Sequence, residues 1–165
     1  MDVQNLTDLE LLRLISPDGP IQSELLSREI IRSKNLVGDI GEYFVYRTFN
    51  NNSALPNLIF PPPGVRNIDF LGRTGDRYSV KSVTSRTGTT GSFWNPDSIR
   101  NNEKTFEYLL IVILTGSYEL DMILQLSWDE FFQNKRYNSR MRNFNISVTR
   151  ALIESVEHVF ERPTE

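Results

Sequence analysis

Apolar residues near the start of the chain recur at the spacing of a helix. Within residues 8–15 they fall three or four positions apart and share one face, at Leu9, Leu12 and Ile15. The next five residues, 16–20, read Ser-Pro-Asp-Gly-Pro, a strong turn sequence. The pattern therefore predicts a helix over residues 8–15 that ends at this turn.

A second helical stretch is predicted to begin near Ile21. Its apolar positions continue at helical spacing as far as Val45, which two helices or one long helix bent near Lys34-Asn35 would explain equally well. The polar sequence Asn-Asn-Asn-Ser at 50–53 ends the stretch. Residues 1–35 are thus predicted to form an N-terminal helical segment.

The middle of the chain carries the patterns of strands. Residues 58–60 predict a short strand, which three consecutive prolines follow. Residues 67–71 and 77–83 predict the two strands of a hairpin, because turn residues rich in glycine separate them. The continuous apolar run 108–114 predicts a fully buried strand, and residues 122–126 predict another.

The C-terminal part of the chain is predicted to be helical. Ser127 suits the N-cap of a helix over residues 128–133, with Glu130 at the capping-box position. A final helix is predicted over residues 149–160. We therefore assign residues 127–165 to C-terminal helices.

The order of these elements indicates the fold class. Helices, a hairpin, two further strands and a last helix predict an α/β fold with a central mixed sheet of four to five strands and helices on both sides. The length of 165 residues and the apolar content of 39% fit one domain. Its core is assigned to residues 36–126.

Composition excludes several kinds of chemistry. The chain has no cysteine, which removes disulfide frameworks, thiolate zinc sites and cysteine nucleophiles. Its single histidine, His158, excludes a histidine-rich metal site and is interpreted as structural. A metal would therefore be held by oxygen ligands, which suit magnesium or manganese.

Hydropathy favours a protein of the cytoplasm. The longest apolar run, residues 108–114, is too short to span a bilayer, so no contact with a membrane is expected. The acidic N-terminus lacks the basic and then apolar order of a signal peptide.

Charge is unevenly distributed along the chain. The net charge of −3 gives no support to a nucleic-acid partner. Residues 131–153, however, contain five basic and no acidic side chains, and residues 66–100 also have a basic excess. If the fold brought these segments to one face, an acidic protein would have a positive surface; solvated basic residues on separate faces are the alternative.

The hairpin separates polar from apolar side chains. Alternate side chains of a strand share a face, so Asp69 points away from Ile68 and Phe70, and Ser79 and Lys81 point away from their apolar neighbours. A carboxylate and a lysine near the core are costly to bury unless they are paired or bound to a metal. A cross-strand ion pair between Asp69 and Lys81 would satisfy the same requirement.

This pattern resembles the PD-(D/E)XK, or restriction-endonuclease-like, nuclease superfamily. The signature is an acidic residue, a hairpin spacer and then acid-X-Lys on the next strand. Asp69 matches the first acid, Lys81 matches the lysine, and Glu42 matches the helical glutamate that many members place before the sheet. Ser79 stands at the second acidic position, which departs from the pattern. The resemblance covers residues 36–126 and implies a restriction-endonuclease-like core.

The resemblance also implies a mechanism. Asp69, Glu42 and the backbone carbonyl of Val80 would hold Mg²⁺, for which Mn²⁺ can substitute, and Ser79 would offer a hydroxyl to the metal or its water. Lys81 would orient or help to deprotonate the attacking water. The expected function is a metal-dependent endonuclease that hydrolyses DNA phosphodiester bonds, of restriction or of repair and recombination type.

The resemblance also implies binding partners. Double-stranded DNA is the expected partner, and a homodimer or a partner subunit would supply specificity. The residues predicted to contact nucleic acid are basic and lie in the two basic segments: Arg66, Arg86, Lys135, Arg136, Arg140 and Arg142. The glycine- and serine-rich residues 85–92 could wrap a phosphate, although a flexible surface loop explains them as well. Phe93-Trp94 could stack on a base or anchor that loop to the core.

A different class of function fits the same residues. Because Ser79 replaces an acid, the chain could be a catalytically silent nuclease-like domain that binds nucleic acid or a protein within a larger assembly. Glu42 could equally be a solvated residue near a helix N-terminus. A purely structural interaction protein is a third possibility, and it would show no salt-sensitive DNA binding.

Overall fold

Two apolar strands, β4 (Tyr108–Leu114) and β5 (Leu120–Ser127), form the centre of the structure, a computed structural model that describes residues 2–65 and 68–163. The other strands of their sheet are β1 (Leu58–Ile59), β2 (Phe70–Gly72), β3 (Arg77–Val83) and β8 (Glu157–Glu161). This six-stranded mixed sheet has the order β1-β2-β3-β4-β5-β8. Neighbouring strands are antiparallel except for β3 and β4, which are parallel.

Helices flank both faces of this sheet. After a short 3-10 turn at Val3–Asn5 come α1 (Asp8–Ile15), α2 (Pro20–Ser27), α3 (Leu36–Asn50), α4 (Pro96–Arg100), α5 (Trp128–Asn134) and α6 (Arg150–Ser155). The protein is thus a mixed α/β structure, as its pattern predicts. Within the described residues, none of the helices has the length and apolar character needed to cross a bilayer.

The central strands are buried on both sides because their two sets of alternating side chains enter different cores. Leu109, Ile111 and Ile113 join the core that contains α5 and α6. Leu110, Val112 and Leu114 join the core under α3. Full burial of each such side chain contributes about 1.5–3 kcal/mol, which explains the uninterrupted apolar run.

Helix α3 begins at a capped turn and packs closely on β3. The Asn35 side chain accepts a hydrogen bond from the Gly38 N–H, which fixes the helix start. Val45 and Phe49 are fully buried against the sheet. A Cβ added at Gly41 would lie 1.8 Å from Oγ of Ser82, so only glycine allows this approach of the helix.

A separate two-stranded sheet is attached to the loop that follows β3. Strands β6 (Lys135–Asn138) and β7 (Asn143–Ile146) form a hairpin, and Thr90 and Phe93 donate their backbone N–H groups to carbonyls of β7 at 2.9 and 3.0 Å. The Thr90 hydroxyl also accepts the Ile146 N–H at 3.0 Å. The glycine- and serine-rich loop is therefore held in place by hydrogen bonds and is not the freely flexible segment that its composition favours.

Several predictions from sequence are confirmed. Helix α1 has the predicted bounds, β4 spans 108–114 as predicted, and β2 and β3 form the expected antiparallel hairpin, although β2 covers Phe70–Gly72 and not residues 67–71. The long helical stretch is two helices, with a break at residues 28–35. Ser127 and Glu130 make both hydrogen bonds of the capping box at α5.

Other predictions are wrong. The sheet has six strands and not four to five, because β1 and β8 pair at its edges. The final helix ends at Ser155, and residues 157–161 form β8 on β5. His158 therefore lies in a strand. The edge of β5 offers unpaired backbone groups to this segment, and such tertiary hydrogen bonds override a local helical pattern.

A further difference concerns the C-terminal part of the chain. Residues 127–163 contain the β6–β7 hairpin and β8 as well as helices.

The packing of α3 on β3 can be tested at Gly41. We expect Gly41→Ala to lower the free energy of unfolding by about 1–3 kcal/mol, because its Cβ overlaps Ser82, although alanine is the better helix former. Urea denaturation measures the change. Gly91→Ala is the matched control, since nothing lies within 4 Å of a Cβ there.

A substitution at Ser82 tests whether overlap with its side chain causes the loss of stability in Gly41→Ala. The Oγ of Ser82 is buried and has no hydrogen-bond partner in the described structure. We therefore expect Ser82→Ala to be neutral or slightly stabilising, and to recover part of the stability that Gly41→Ala loses. Full parental stability of Gly41→Ala would show that the helix does not sit this close to the sheet.

Candidate active site

The hairpin fixes Asp69 at the start of β2. Its N–H donates to the Tyr78 carbonyl at 2.9 Å, and its carboxylate accepts the Val80 N–H at 2.6 Å. Burial raises the pKa of Asp69, while the Val80 N–H, the positive charges of Lys81 and Arg32 and the hydroxyl of buried Ser79 act in the opposite direction. The backbone of both strands thus holds this carboxylate in one orientation.

Lys81 lies two residues beyond Ser79 on the same side of β3. Its Nζ is 5.1 Å from the centre of the Phe93 ring, which belongs to the core. Burial lowers the pKa of Lys81, and the negative charges of Asp69 and Glu42 oppose that shift. Lys81 is therefore half-buried and lies within the electrostatic influence of two carboxylates.

Glu42 reaches the same place from α3. It lies three and seven positions before Val45 and Phe49, on the same side of α3, and it lines a groove together with Asp39, Tyr43 and Tyr46. Its side chain is 21% exposed. It therefore points neither into the core nor freely into water.

Protonation of Glu42 responds to its neighbours. Burial and then the charge of Asp69 raise the pKa of Glu42 to about 7, against the effect of Arg32, whose guanidinium donates to the Glu42 carboxylate. A bound cation would relieve this arrangement, in which the charge of one acid makes ionisation of another costlier.

Arg32 and Asp39 belong to the site but carry no signal that sequence reasoning could have found. Asp39 is buried, and its carboxylate accepts the backbone N–H groups of Arg32 and Ser33 and the Ser33 hydroxyl at 3.1 Å. The Arg32 guanidinium carbon is 4.3 Å from the centre of the Phe60 ring. Asp39 thus holds the loop that presents Arg32 to Glu42; an acid in the first turn of a helix is too common to indicate this.

The structure brings together the four residues predicted as catalytic. Glu42 comes from a helix, Ser79 and Lys81 come from β3, and Asp69 lies immediately before β2. Asp69 and Lys81 affect each other's pKa, Asp69 affects that of Glu42, and Glu42 affects that of Lys81. The contact recorded between Val80 and Asp69 uses the Val80 N–H. The role predicted for the Val80 carbonyl stays a prediction.

The residues predicted to bind nucleic acid have different surroundings. Arg86 forms a two-pronged pair with Asp121, at 2.7 and 2.8 Å. Lys135 donates to the Phe132 carbonyl at 2.9 Å. Arg136, Arg140 and Arg142 lie exposed along the β6–β7 hairpin. Arg66 falls outside the described residues.

The two carboxylates fit a weakly held hard cation. Among residues 2–65 and 68–163 no group of three or more His, Cys, Asp or Glu side chains could hold a metal ion. Asp69 and Glu42 would supply two ligands, and backbone oxygens and water would supply the rest. Magnesium suits such a site because it keeps several waters and binds through one or two carboxylates.

Comparison with other proteins does not assign the chain to a family. No protein-family model matches the chain, and no curated protein matches its sequence significantly.

The raised pKa of Glu42 makes stability depend on pH in a defined direction. The folded state keeps this proton between about pH 4.5 and 7, where the unfolded chain releases it, so the free energy of unfolding falls as pH rises through that window. At about pH 8 in EDTA we expect Glu42→Gln to be more stable than the parent by on the order of 2 kcal/mol. At about pH 5 the two should be nearly equal.

Urea denaturation across this pH range measures the effect. Glu103→Gln, which removes an exposed carboxylate, is the control and should keep the parental pH profile. Parallel profiles for the parent and Glu42→Gln would contradict the burial and charge environment described for Glu42.

Proposed function

We propose that this protein is a metal-dependent endonuclease that hydrolyses DNA phosphodiester bonds, of restriction or of repair and recombination type, with a restriction-endonuclease-like core. The observation that supports this most is the convergence of Glu42, Asp69 and Lys81. Two partly buried acids and an amine, each shifted in pKa by its surroundings, mark a site built for chemistry and not for stability alone.

The roles of the acids follow from how they are held. Asp69, fixed by the Val80 N–H, and Glu42 would bind Mg²⁺ or Mn²⁺ together with the Val80 carbonyl. A bound divalent cation polarises the scissile phosphate and stabilises charge on its oxygens. Glu42 must lose its proton and exchange Arg32 for this role, so metal binding should strengthen as pH rises past about 7.

Lys81 and Ser79 act on the water and the phosphate. The lowered pKa of Lys81 suits a group that orients the attacking water and takes part in moving its proton. In its ammonium form Lys81 also stabilises the negative charge that builds during hydrolysis. Ser79 places a hydroxyl beside Asp69, where it can bind water held at the site.

The DNA path would follow the basic β6–β7 hairpin. Arg136, Arg140 and Arg142 are exposed there and available to phosphates, with Lys135 at its base. Arg66 and Arg86 complete the proposed set. One chain provides one site, so cleavage of both strands requires a homodimer or a partner subunit.

A second function is favoured by a specific observation, the ion pair between Arg32 and Glu42. Arg32 pairs with one of the two acids, and Ser79 stands where the family pattern has a further acid. A catalytically silent nuclease-like domain that binds nucleic acid or protein would show both features, because a fixed guanidinium can take the place of a metal ion.

A nicking assay tests the enzyme. Supercoiled plasmid and a circular single strand of the same sequence are each incubated with Mg²⁺ or Mn²⁺ and with the parent, Asp69→Asn, Lys81→Met or Glu42→Gln. We expect nicking by the parent and a loss of about 100-fold or more in each variant, because each removes a group that stabilises the transition state. Asp97→Asn and Lys104→Met, exposed changes of the same kind, are the controls and should retain parental rates.

Metal binding separates the two functions without relying on activity. For the enzyme, Mg²⁺ raises the melting temperature of the parent but not that of Asp69→Asn. Ser79→Asp, which adds the missing acid, should increase the shift. No nicking and no Mg²⁺-dependent shift in the parent would overturn the enzyme and favour the silent domain.

A further inference from the structure

A groove of about 560 Å³ opens beside the candidate active site. It is bounded by the α3 stripe that carries Glu42, by the loop that carries Arg32 and by the segment after β1. Glu42, one of the candidate catalytic residues, lines the groove together with its partner Arg32. The groove therefore opens at the candidate site. Its volume is within the range of about 300–1,000 Å³ that is usual for small-ligand pockets.

Planar side chains form one wall of the groove. The Tyr46 and Phe60 rings are stacked, with centroids 5.2 Å apart and planes at 13°. The Arg32 guanidinium lies against the Phe60 ring. Tyr46 and Phe60 are nevertheless 39% and 46% exposed, although both also contact the buried Phe70 ring. Large aromatic surface left open to water beside stacked partners is suited to another flat, apolar ring.

An arginine of the groove is available to an anion. Arg47 donates to the Tyr43 hydroxyl at 2.8 Å and lies over the Tyr43 ring, but it has no carboxylate partner in the part of the chain that the structure describes. By contrast, Asp39 is satisfied by backbone N–H groups and Glu42 by Arg32. The groove thus combines a stacking surface with a positive group that a phosphate can neutralise.

Another exposed aromatic ring lies at the candidate site. Trp94 is 70% exposed, and it lines a small cavity together with Ser79 and Lys81. Its neighbour Phe93 is 3% exposed and anchors the loop in the core. Trp94 thus borders two of the candidate catalytic residues, and Tyr46 and Phe60 border the groove that Glu42 lines.

We propose that the groove and Trp94 bind unpaired nucleotides of a DNA strand next to the scissile phosphate, with bases stacked on the aromatic rings and a phosphate on Arg47. This rests on the proposed function and narrows its substrate to DNA that is single-stranded at the point of cleavage. Bases inside a duplex are stacked on each other and cannot reach these rings, whereas bases of a single strand can.

Binding without metal tests the proposal separately from catalysis. Fluorescence anisotropy in EDTA compares a labelled single strand of about 12 nucleotides with the same sequence as a blunt duplex. We expect the parent to bind the single strand at least about tenfold more tightly. Tyr46→Ala and Trp94→Ala should each weaken that binding by about 5- to 100-fold, the effect of losing one stacked base.

Matched variants control for charge and folding. Tyr46→Leu and Phe60→Leu keep apolar packing but remove the stacking ring, so they should also weaken binding while melting close to the parent. Trp94→Phe should keep most of the single-strand binding that Trp94→Ala loses. Arg47→Gln should weaken binding and reduce its salt dependence by about one counterion. Tyr118→Asn and Arg150→Gln alter exposed residues elsewhere and should change nothing.

The outcomes distinguish this inference from the proposed function. Equal or tighter binding of the duplex, or groove variants that bind the single strand like the parent, would overturn the inference. Cleavage of duplex DNA at parental rates by Tyr46→Leu would do the same while leaving the endonuclease intact. Stacking-dependent binding by a parent that never nicks DNA would overturn the endonuclease and leave the groove as a single-strand binding site.

Discussion

The close contact of α3 with β3 is the constraint on which the candidate site depends. Gly41 lets the helix backbone approach Ser82, and the next residue, Glu42, is thereby brought close enough to Asp69 for that charge to raise the pKa of Glu42. The buried rings and branched chains of Val45 and Phe49 fix the rotation of the helix. With a bulkier residue at position 41, Glu42 would move away from Asp69, and the two acids would no longer share one environment.

Holding three ionisable groups near the core costs stability, and the structure offsets this only in part. Removing a charge from water costs several kcal/mol, which nearby hydrogen bonds and opposite charges repay incompletely. Val80 and Arg32 compensate Asp69 and Glu42, yet both acids retain raised pKa values. The fold tolerates the remaining cost because β4 and β5 bury apolar side chains on both faces. Ionisable groups that are buried at a net cost in stability are typical of functional sites.

Sequence predicted the parts of the fold that local pattern determines. The hairpin of β2 and β3, the buried strand β4 and the capping box at Ser127 each depend on residues close together in the chain. The approach of Glu42 to the hairpin spans a long separation, and only the family resemblance suggested it. The parts that failed depend on distant contacts: β8 forms because β5 has a free edge, and Arg32 is placed by the buried carboxylate of Asp39.

The single parallel pair in the sheet has a consequence for the order of folding. β4 and β5 are joined by a tight turn, but β3 must find β4 after the long connection of residues 84–107, which delays pairing through the entropy of loop closure. We expect the β4–β5 hairpin to form first and the acids to meet last. Ile123→Val should then slow refolding, whereas Phe70→Leu should mainly speed unfolding in stopped-flow experiments. A partly folded chain would lack the candidate active site altogether.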